Sequence, residues 1–252
     1  MLVEPIKTRI LRPPKDDLLD AIASSALDIH ERDIIAVTSK VISIWQGRCI
    51  SQEVVVDKDI LIKQEAELYL DRENVPGNHV IFTIKENLLV PSSGIDASNA
   101  AGYYILWPEK VMETARDLLA WFKKKYHINE LGVIITDSHS TPFRRGIVGI
   151  ALGWAGFDPL YDYRQTADLF GRMLKISQTN VADALATAAV LAMGEGNEQT
   201  PLALLRDISR IRFGDASSGE GGGSFVVPIE EDIYAPFYTK IPWEKGGTKR
   251  MR

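Results

Sequence analysis

The chain has 252 residues, 45% of them hydrophobic and 25% charged, with a formal net charge of −5. That length supports one large domain or two modest ones with a real core, and the charge offers no basic face of the kind nucleic-acid binding uses. A single cysteine, Cys49, excludes an internal disulfide framework and fits a reducing compartment. No apolar run approaches the roughly 18 residues of a membrane span, and the start, MLVEPIKTRI, lacks the apolar core of a signal peptide. A soluble cytoplasmic protein is the expectation.

Residues 16–26 place Leu18, Leu19, Ile22 and Ala26 on one face, which predicts a short amphipathic helix. DIIAV (33–37) and VIFTI (80–84) read as strands, the second running into a loop, LLVPSSGIDASNA. Over 110–126 the positions Val111, Ala115, Leu118, Leu119 and Phe122 mark a helical face, with acids early and lysines late as the helix dipole prefers. LGVII (131–135) and IVGIALGW (147–154) are predicted buried strands, and the alternation in MLKIS (173–177) predicts another. Thr179 and Asn180 can cap a long alanine-rich helix that reaches Met193 and stops at Gly194-Glu195-Gly196. Strands and helices alternate without a strict βαβ rhythm, so the fold class is α+β or irregular mixed α/β. The division expected is a domain over 1–213, then a glycine-rich linker and arm over 214–252, with SSGEGGGS (217–224) flexible by composition.

TDSHSTPFRRG (136–146) follows the LGVII strand at once, with an acid, hydroxyls, a histidine and two arginines where a plain turn needs one or two polar residues. GIDASN (94–99) offers Asp96, Ser98 and Asn99; MGEG (193–196) offers Glu195 at a helix end; FGR (170–172) adds an arginine. Hard oxygen ligands at strand and helix ends suit Mg²⁺ or Mn²⁺, which share phosphate oxygens with nucleotides. Lys40, Arg144 and Arg145 could then meet phosphate or carboxylate charge. Each residue alone has a plainer reading. Asp137 and Asp96 serve as turn or cap residues, Glu195 as a solvated helix end, the arginines as surface ion-pair partners, and His139 as a loop residue with no second histidine at metal spacing. The phosphate-loop pattern G-x-x-x-x-G-K-[ST] is absent.

Taken in order, GIDASN, GVIITDSHSTPFRRGIVGIALG, DLFGR and NVADALATAAVLAMGEG resemble the coenzyme F420-0:L-glutamate ligase family over roughly residues 30–207. The resemblance implies that family's own mixed α/β fold and an intertwined homodimer. It also implies an enzyme that uses GTP, or here ATP, with two Mg²⁺ or Mn²⁺ ions to attach L-glutamate to a carboxylate acceptor through an acyl phosphate. Position by position, it makes Asp96 and Asp137 metal ligands, with Ser138 where the family usually has a metal-contacting threonine. Glu195 helps hold the second ion. Ser39, Lys40, Asn99, Met193, Gly194 and Gly196 face the nucleotide. Asp137, Arg144 and Arg145 are the catalytic candidates, the arginines orienting a carboxylate with bidentate contacts. Three departures stand out. Ile44 and Gln46 replace a lysine and an acid of the family's S-K-x-E-G-R, and Arg9-Ile-Leu-Arg-Pro13 replaces its N-terminal G-L-P-L-I segment. Three functions therefore stay open: an F420-0 ligase, a related ligase with a folate-like or acidic acceptor, and a non-catalytic nucleotide-binding homologue.

Overall fold

Apolar runs without alternation, such as IIAV and VII, must be covered on both faces, and that requirement organises the main unit. The computed structural model describes residues 1–55, 57–214 and 225–247. In chain order the elements are β1 (Leu2–Ile6), α1 (Leu18–Ala23), β2 (Ile34–Thr38), α2 (Ser39–Gln46), β3 (Cys49–Ser51), α3 (Lys58–Glu65), β4 (Leu68–Leu70), β5 (Phe82–Lys85) and β6 (Leu88–Pro91). They continue with β7 (Tyr103–Ile105), α4 (Val111–Tyr126), β8 (Gly132–Ser140), β9 (Ile147–Ala155), β10 (Leu160–Asp162), β11 (Gln178–Asn180), α5 (Val181–Met193), β12 (Leu202–Arg206), α6 (Ala235–Tyr238) and β13 (Glu244–Lys245). The mixed α+β class expected from the sequence holds.

The main sheet runs β1-β12-β2-β8-β9. Only β2 and β8 are parallel; the other neighbours are antiparallel. Alternate residues leave the sheet on opposite faces. Ile35, Val37, Val133 and Ile135 pack with Leu18, Ile22, Ile42, Leu118 and Phe122 of α1, α2 and α4. Ile34, Ala36 and Ile134 pack with Val181, Leu185, Ala186 and Ala189 of α5. The result is a three-layer unit whose central strands are buried on both faces.

Between α2 and α4 the chain builds a smaller unit. A sheet ordered β13-β4-β5-β6 surrounds a core of Leu61, Ile62, Ile81, Ile95 and Leu106, and the β3–β7 ribbon joins it to the main unit.

Several elements differ from the sequence reading. The first helix spans Leu18–Ala23, not 16–26, because the Asp17 side chain caps it by accepting from the Asp20 N–H, and Ser24 and Ser25 fold their hydroxyls back onto its last carbonyls. Residues 173–177 are not a strand: Met173 makes one isolated bridge to Ala167, and the strand that follows, β11, starts at Gln178. Alternation there reflects a loop, since Ile176 is 88% exposed. LLVP is strand rather than loop, paired with β5 through Glu86 and Asn87, both at positive φ as a tight hairpin turn needs. The strand at 131–135 continues through the polar stretch to Ser140. Asn180 does cap α5, its Oδ1 accepting from the Asp183 N–H at 2.9 Å, and the helix stops at Gly194 with φ +78°. The expected flexible segment at 217–224 lies outside the described residues.

Gly149 on β9 is where sheet and α5 come closest. A Cβ there would lie 2.4 Å from the Ala186 carbonyl oxygen, a backbone atom that cannot yield. Gly149→Ala is expected to destabilise the fold by about 3 kcal/mol, at the upper end of overpacking costs, measured by urea unfolding. A loss below about 0.5 kcal/mol, the range of ordinary surface substitutions, would show that helix and sheet can part.

Candidate active site

Parallel strands expose their C-terminal ends together, and ligands of α/β sheets bind at such ends. Thr38 pairs with Thr136 across β2 and β8, so Ser39-Lys40 and Asp137-Ser138 emerge side by side. A shift in the β8–β9 register between Ile135 and Thr136, where the pairing jumps from Gly153 to Ala151, re-aims the strand just before Asp137. These ends open into a cavity of about 470 Å³. Its polar wall holds Ser39, Lys40, Asp96, Asn99, Asp137, Ser138, Glu195 and Glu198, and its apolar wall includes Ile10, Leu11, Val41, Ile44, Leu106 and Trp107.

The side chains are tied to one another across long sequence distances. Lys40 Nζ stands 2.6 Å from Asp96 Oδ2 and donates to the Ser98 carbonyl at 3.0 Å and its hydroxyl at 3.1 Å. Asp96 in turn accepts from the Ser98 N–H at 2.7 Å. The Asn99 side-chain amide donates to the Gly196 carbonyl at 2.7 Å, and the Gly196 N–H donates to Glu198 Oε2 at 2.8 Å. Asp137 Oδ1 accepts from the Ser138 N–H at 2.8 Å, and Oδ2 accepts from the Trp107 indole N–H.

Charge follows from this packing. Burial pushes the Asp137 carboxyl up to about 6, against the Ser138 and Trp107 hydrogen bonds, and the charges of Asp96 and Glu195 add to the rise. Burial also raises Glu195, although the Ser138 hydroxyl and Lys40 pull the other way. At Asp96 burial works toward the same rise, but Lys40 and Ser98 outweigh it and hold the group below its usual value.

Of the residues singled out from sequence, the cavity gathers Ser39, Lys40, Asp96, Asn99, Asp137, Ser138, Met193, Gly194, Glu195 and Gly196. It does not gather Arg144 and Arg145, which lie exposed in the β8–β9 turn, nor Arg172, exposed in the loop before β11. His139 belongs to β8 rather than to a loop, and burial lowers its pKa. Trp107 and Glu198 are cavity residues that no motif announced: Trp107 sits 30 positions from the carboxylate it touches. Arg9 also lines the wall, but its guanidinium is engaged by Asp16 at 3.0 Å and Asp20 at 2.9 Å.

The family described as F420-0:Gamma-glutamyl ligase matches residues 5–207. The chain belongs to that family. It is 34% identical over 223 residues to a coenzyme F420:L-glutamate ligase of Methanopyrus kandleri, covering 82% of this chain and 86% of the relative. It is 31% identical over 219 residues to the protein of that name from Methanocaldococcus jannaschii, with 82% and 86% covered. For the Haloarcula marismortui protein of the same name the identity is 30% over 226 residues, with 82% and 86% covered. Every cavity residue of the F420-0 ligase motifs lies inside the matched region. No described helix is long and apolar enough to cross a membrane.

Among the described residues no three acidic, cysteine or histidine side chains stand close enough, as placed, to enclose a metal ion. The chemistry of the donor set nonetheless fits a hard divalent cation: three carboxylates and a hydroxyl face one cavity, and their mutual repulsion is what a bound cation relieves. In the chain by itself Lys40 answers part of that charge.

Because the folded pKa of Asp137 is raised from 3.8 to about 6, the native state binds its proton more tightly than the unfolded chain. The penalty for ionising it is absent below about pH 4 and complete above about pH 6. Asp137→Asn buries no charge but turns an amide NH2 toward one of the two donors. The stability gap between the parent and this variant is expected to shift in the variant's favour by on the order of 2–3 kcal/mol between pH 4 and pH 7 in EDTA. Urea titrations should show that shift reversing as the pH falls from 6 toward 4. A gap independent of pH in that window would mean that the carboxylate is not held under electrostatic stress.

Proposed function

We propose that this chain is a cytoplasmic ligase, dependent on a nucleoside triphosphate and divalent metal, that joins L-glutamate to a carboxylate acceptor of the coenzyme F420-0 type. The observation that carries the reading is the convergence of Asp96, Asp137, Ser138 and Glu195 on one cavity beside the N-terminus of α2, all within the matched region. A carboxylate does not react with an amine at neutral pH. Its oxygen first attacks the terminal phosphorus and nucleoside diphosphate leaves. The glutamate amine then attacks the acyl carbon, phosphate is expelled and the amine nitrogen loses its proton.

Each residue has a part in holding those groups in line. Asp96, Asp137, Ser138 and Glu195 would hold two Mg²⁺ or Mn²⁺ ions, which neutralise phosphoryl charge when bound. Lys40, now on Asp96, is the cavity ammonium within reach of a phosphate, and the α2 N-terminus supplies backbone N–H groups beside it. Asn99 fixes Gly196, so the Met193–Gly196 loop presents its backbone to the nucleotide. Ile44 is buried in the cavity wall and leaves it apolar where the family's pattern carries a lysine, which favours, as a second reading, an acceptor related to but different from F420-0.

A homodimer is part of the proposal. Around Arg144 and Arg145 stand Phe143 at 99% exposure and Ile147 at 52%, and elsewhere on the chain Leu169, Phe170, Ile176 and Leu191 are also largely exposed. Phe143 and Ile147, exposed beside the arginines, support a contact with a second copy at the β8–β9 turn, and a covering copy would set the two arginines against a neighbouring subunit, where a carboxylate of glutamate or acceptor can be clamped.

Thermal unfolding with GTP, ATP or neither, each with and without Mn²⁺, tests the site before the acceptor is known. A nucleotide at about 100 times its Kd should raise the midpoint by roughly 5–10 °C, only with Mn²⁺ present, and Asp137→Asn and Glu195→Gln should abolish the rise. The nucleotide with the larger shift is the co-substrate. With F420-0 and L-glutamate added, the product mass should increase by glutamate less water. Absence of any shift with either nucleotide would sink the ligase reading in favour of a non-catalytic homologue. A shift without product from F420-0 would point to another acceptor.

A further inference from the structure

Trp107 lies two residues beyond β7 and belongs to the smaller unit, yet its indole N–H reaches across to Asp137 Oδ2 in the main sheet. The ring is held from two further directions. Gly94, at φ +69°, carries no side chain, and a Cβ there would fall 2.0 Å from the indole nitrogen, so the GIDASN backbone lies directly against the ring. Lys85 Nζ stands 5.6 Å over the ring and 2.7 Å from Glu65, whose carboxylate also takes Arg48 at 2.9 Å. Arg48 donates to the Trp107 carbonyl at 3.3 Å, which fixes the backbone as well. With 4% of its surface exposed, the residue has no freedom to turn.

We propose that Trp107 is the positioning residue of the metal site. Its clamped N–H fixes the rotamer of Asp137, so that the remaining lone pairs of that carboxylate face Asp96, Glu195 and a divalent cation. The inference rests on the reading above in which Asp137 holds the ion. A carboxylate on a short side chain can rotate away from a cation, and a fixed outer donor removes that freedom, which is why loss of such partners costs metal affinity. The Lys85 ammonium over the face draws density from the ring and strengthens its N–H as a donor. Ring, ammonium and Glu65 thereby form a line from the smaller unit to the reaction centre.

Mn²⁺ binding, followed by the paramagnetic resonance signal of the free ion, tests this on the full chain without nucleotide. Trp107→Phe keeps an aromatic ring in place and removes the indole donor together with part of the ring volume. It should weaken Mn²⁺ binding about 10-fold, the lower end for such partners, while its unfolding midpoint in EDTA, lowered by the smaller ring, stays above the temperature of the binding assay. Mn²⁺ should quench part of the tryptophan emission of the parent, and that part should be missing in Trp107→Phe. If Trp107→Phe binds Mn²⁺ as tightly as the parent, the positioning role is overturned while the metal site stands. If the parent binds no Mn²⁺ at millimolar concentration, the metal reading falls and this inference with it. Should Trp107→Phe fail to fold, Lys85→Met carries the test: weaker Mn²⁺ binding supports the line to Asp137, and unchanged binding overturns it.

Discussion

Asp96, Asp137 and Glu195 repel one another across a cavity that partly shields them from water, and the chain must hold them there against that repulsion. Burial and like charge favour the protonated form at Asp137 and Glu195. Lys40 and Ser98 oppose them at Asp96, and the Ser138 N–H and Trp107 indole oppose them at Asp137. Only a rigid frame sustains such an arrangement, because a mobile one would let the acids move apart into solvent. The frame is the parallel β2–β8 pair, buried on both faces, whose ends cannot shift without breaking two cores.

The same constraint explains the loops. Residues 194–201 make few apolar contacts of their own, yet they are bonded on every side. Gln199 donates to the Thr8 carbonyl at 2.6 Å, Thr200 to the Met193 carbonyl at 2.5 Å, and the Thr38 N–H to the Pro201 carbonyl at 2.9 Å. With Asn99 on Gly196, these contacts tie the N-terminal segment, the β2 end, the GIDASN loop and the α5 end into one ring. Glu195 is thereby placed opposite Asp96 and Asp137 by the bonds that fix its loop, and the Ser138 hydroxyl bonds its side chain.

Much of this was legible in the residues. The continuous apolar runs of β2 and β8, the cap at Asn180 and the glycine stop at Gly194 are local signals, and each formed as its chemistry dictates. The acids of GIDASN, TDS and MGEG stood out because costly polar groups sit at element ends. What stayed hidden is what depends on contact between distant segments. The TDSHS stretch looks like a turn in isolation, but pairing with β9 through Ile147 keeps it extended. MLKIS alternates like a strand, but it meets residues 163–167 through one isolated Met173–Ala167 bridge and scattered backbone bonds at Leu174 and Ser177, which do not make a ladder. Trp107 reads as an apolar residue before a proline, and nothing within its own segment points to Asp137.

The matched region ends at residue 207, and the segment beyond it leans on both units. Phe225 stacks edge-on against Trp154 of β9, with ring centroids 4.6 Å apart. Twenty residues later β13 adds to the edge of the smaller sheet, where Lys245 pairs with Leu68 and the Tyr69 hydroxyl donates to Glu244 at 2.8 Å. An open sheet edge is a liability, and here β13 pairs along that of β4. Leu68 pairs on its other side with Ile84, the neighbour of Lys85. Strand β13 is thus one step removed from the strand that carries Lys85, and Lys85 lies over the indole that meets Asp137. Residues outside the family match therefore brace, through β4 and β5, the side of the cavity where the smaller unit touches the acids.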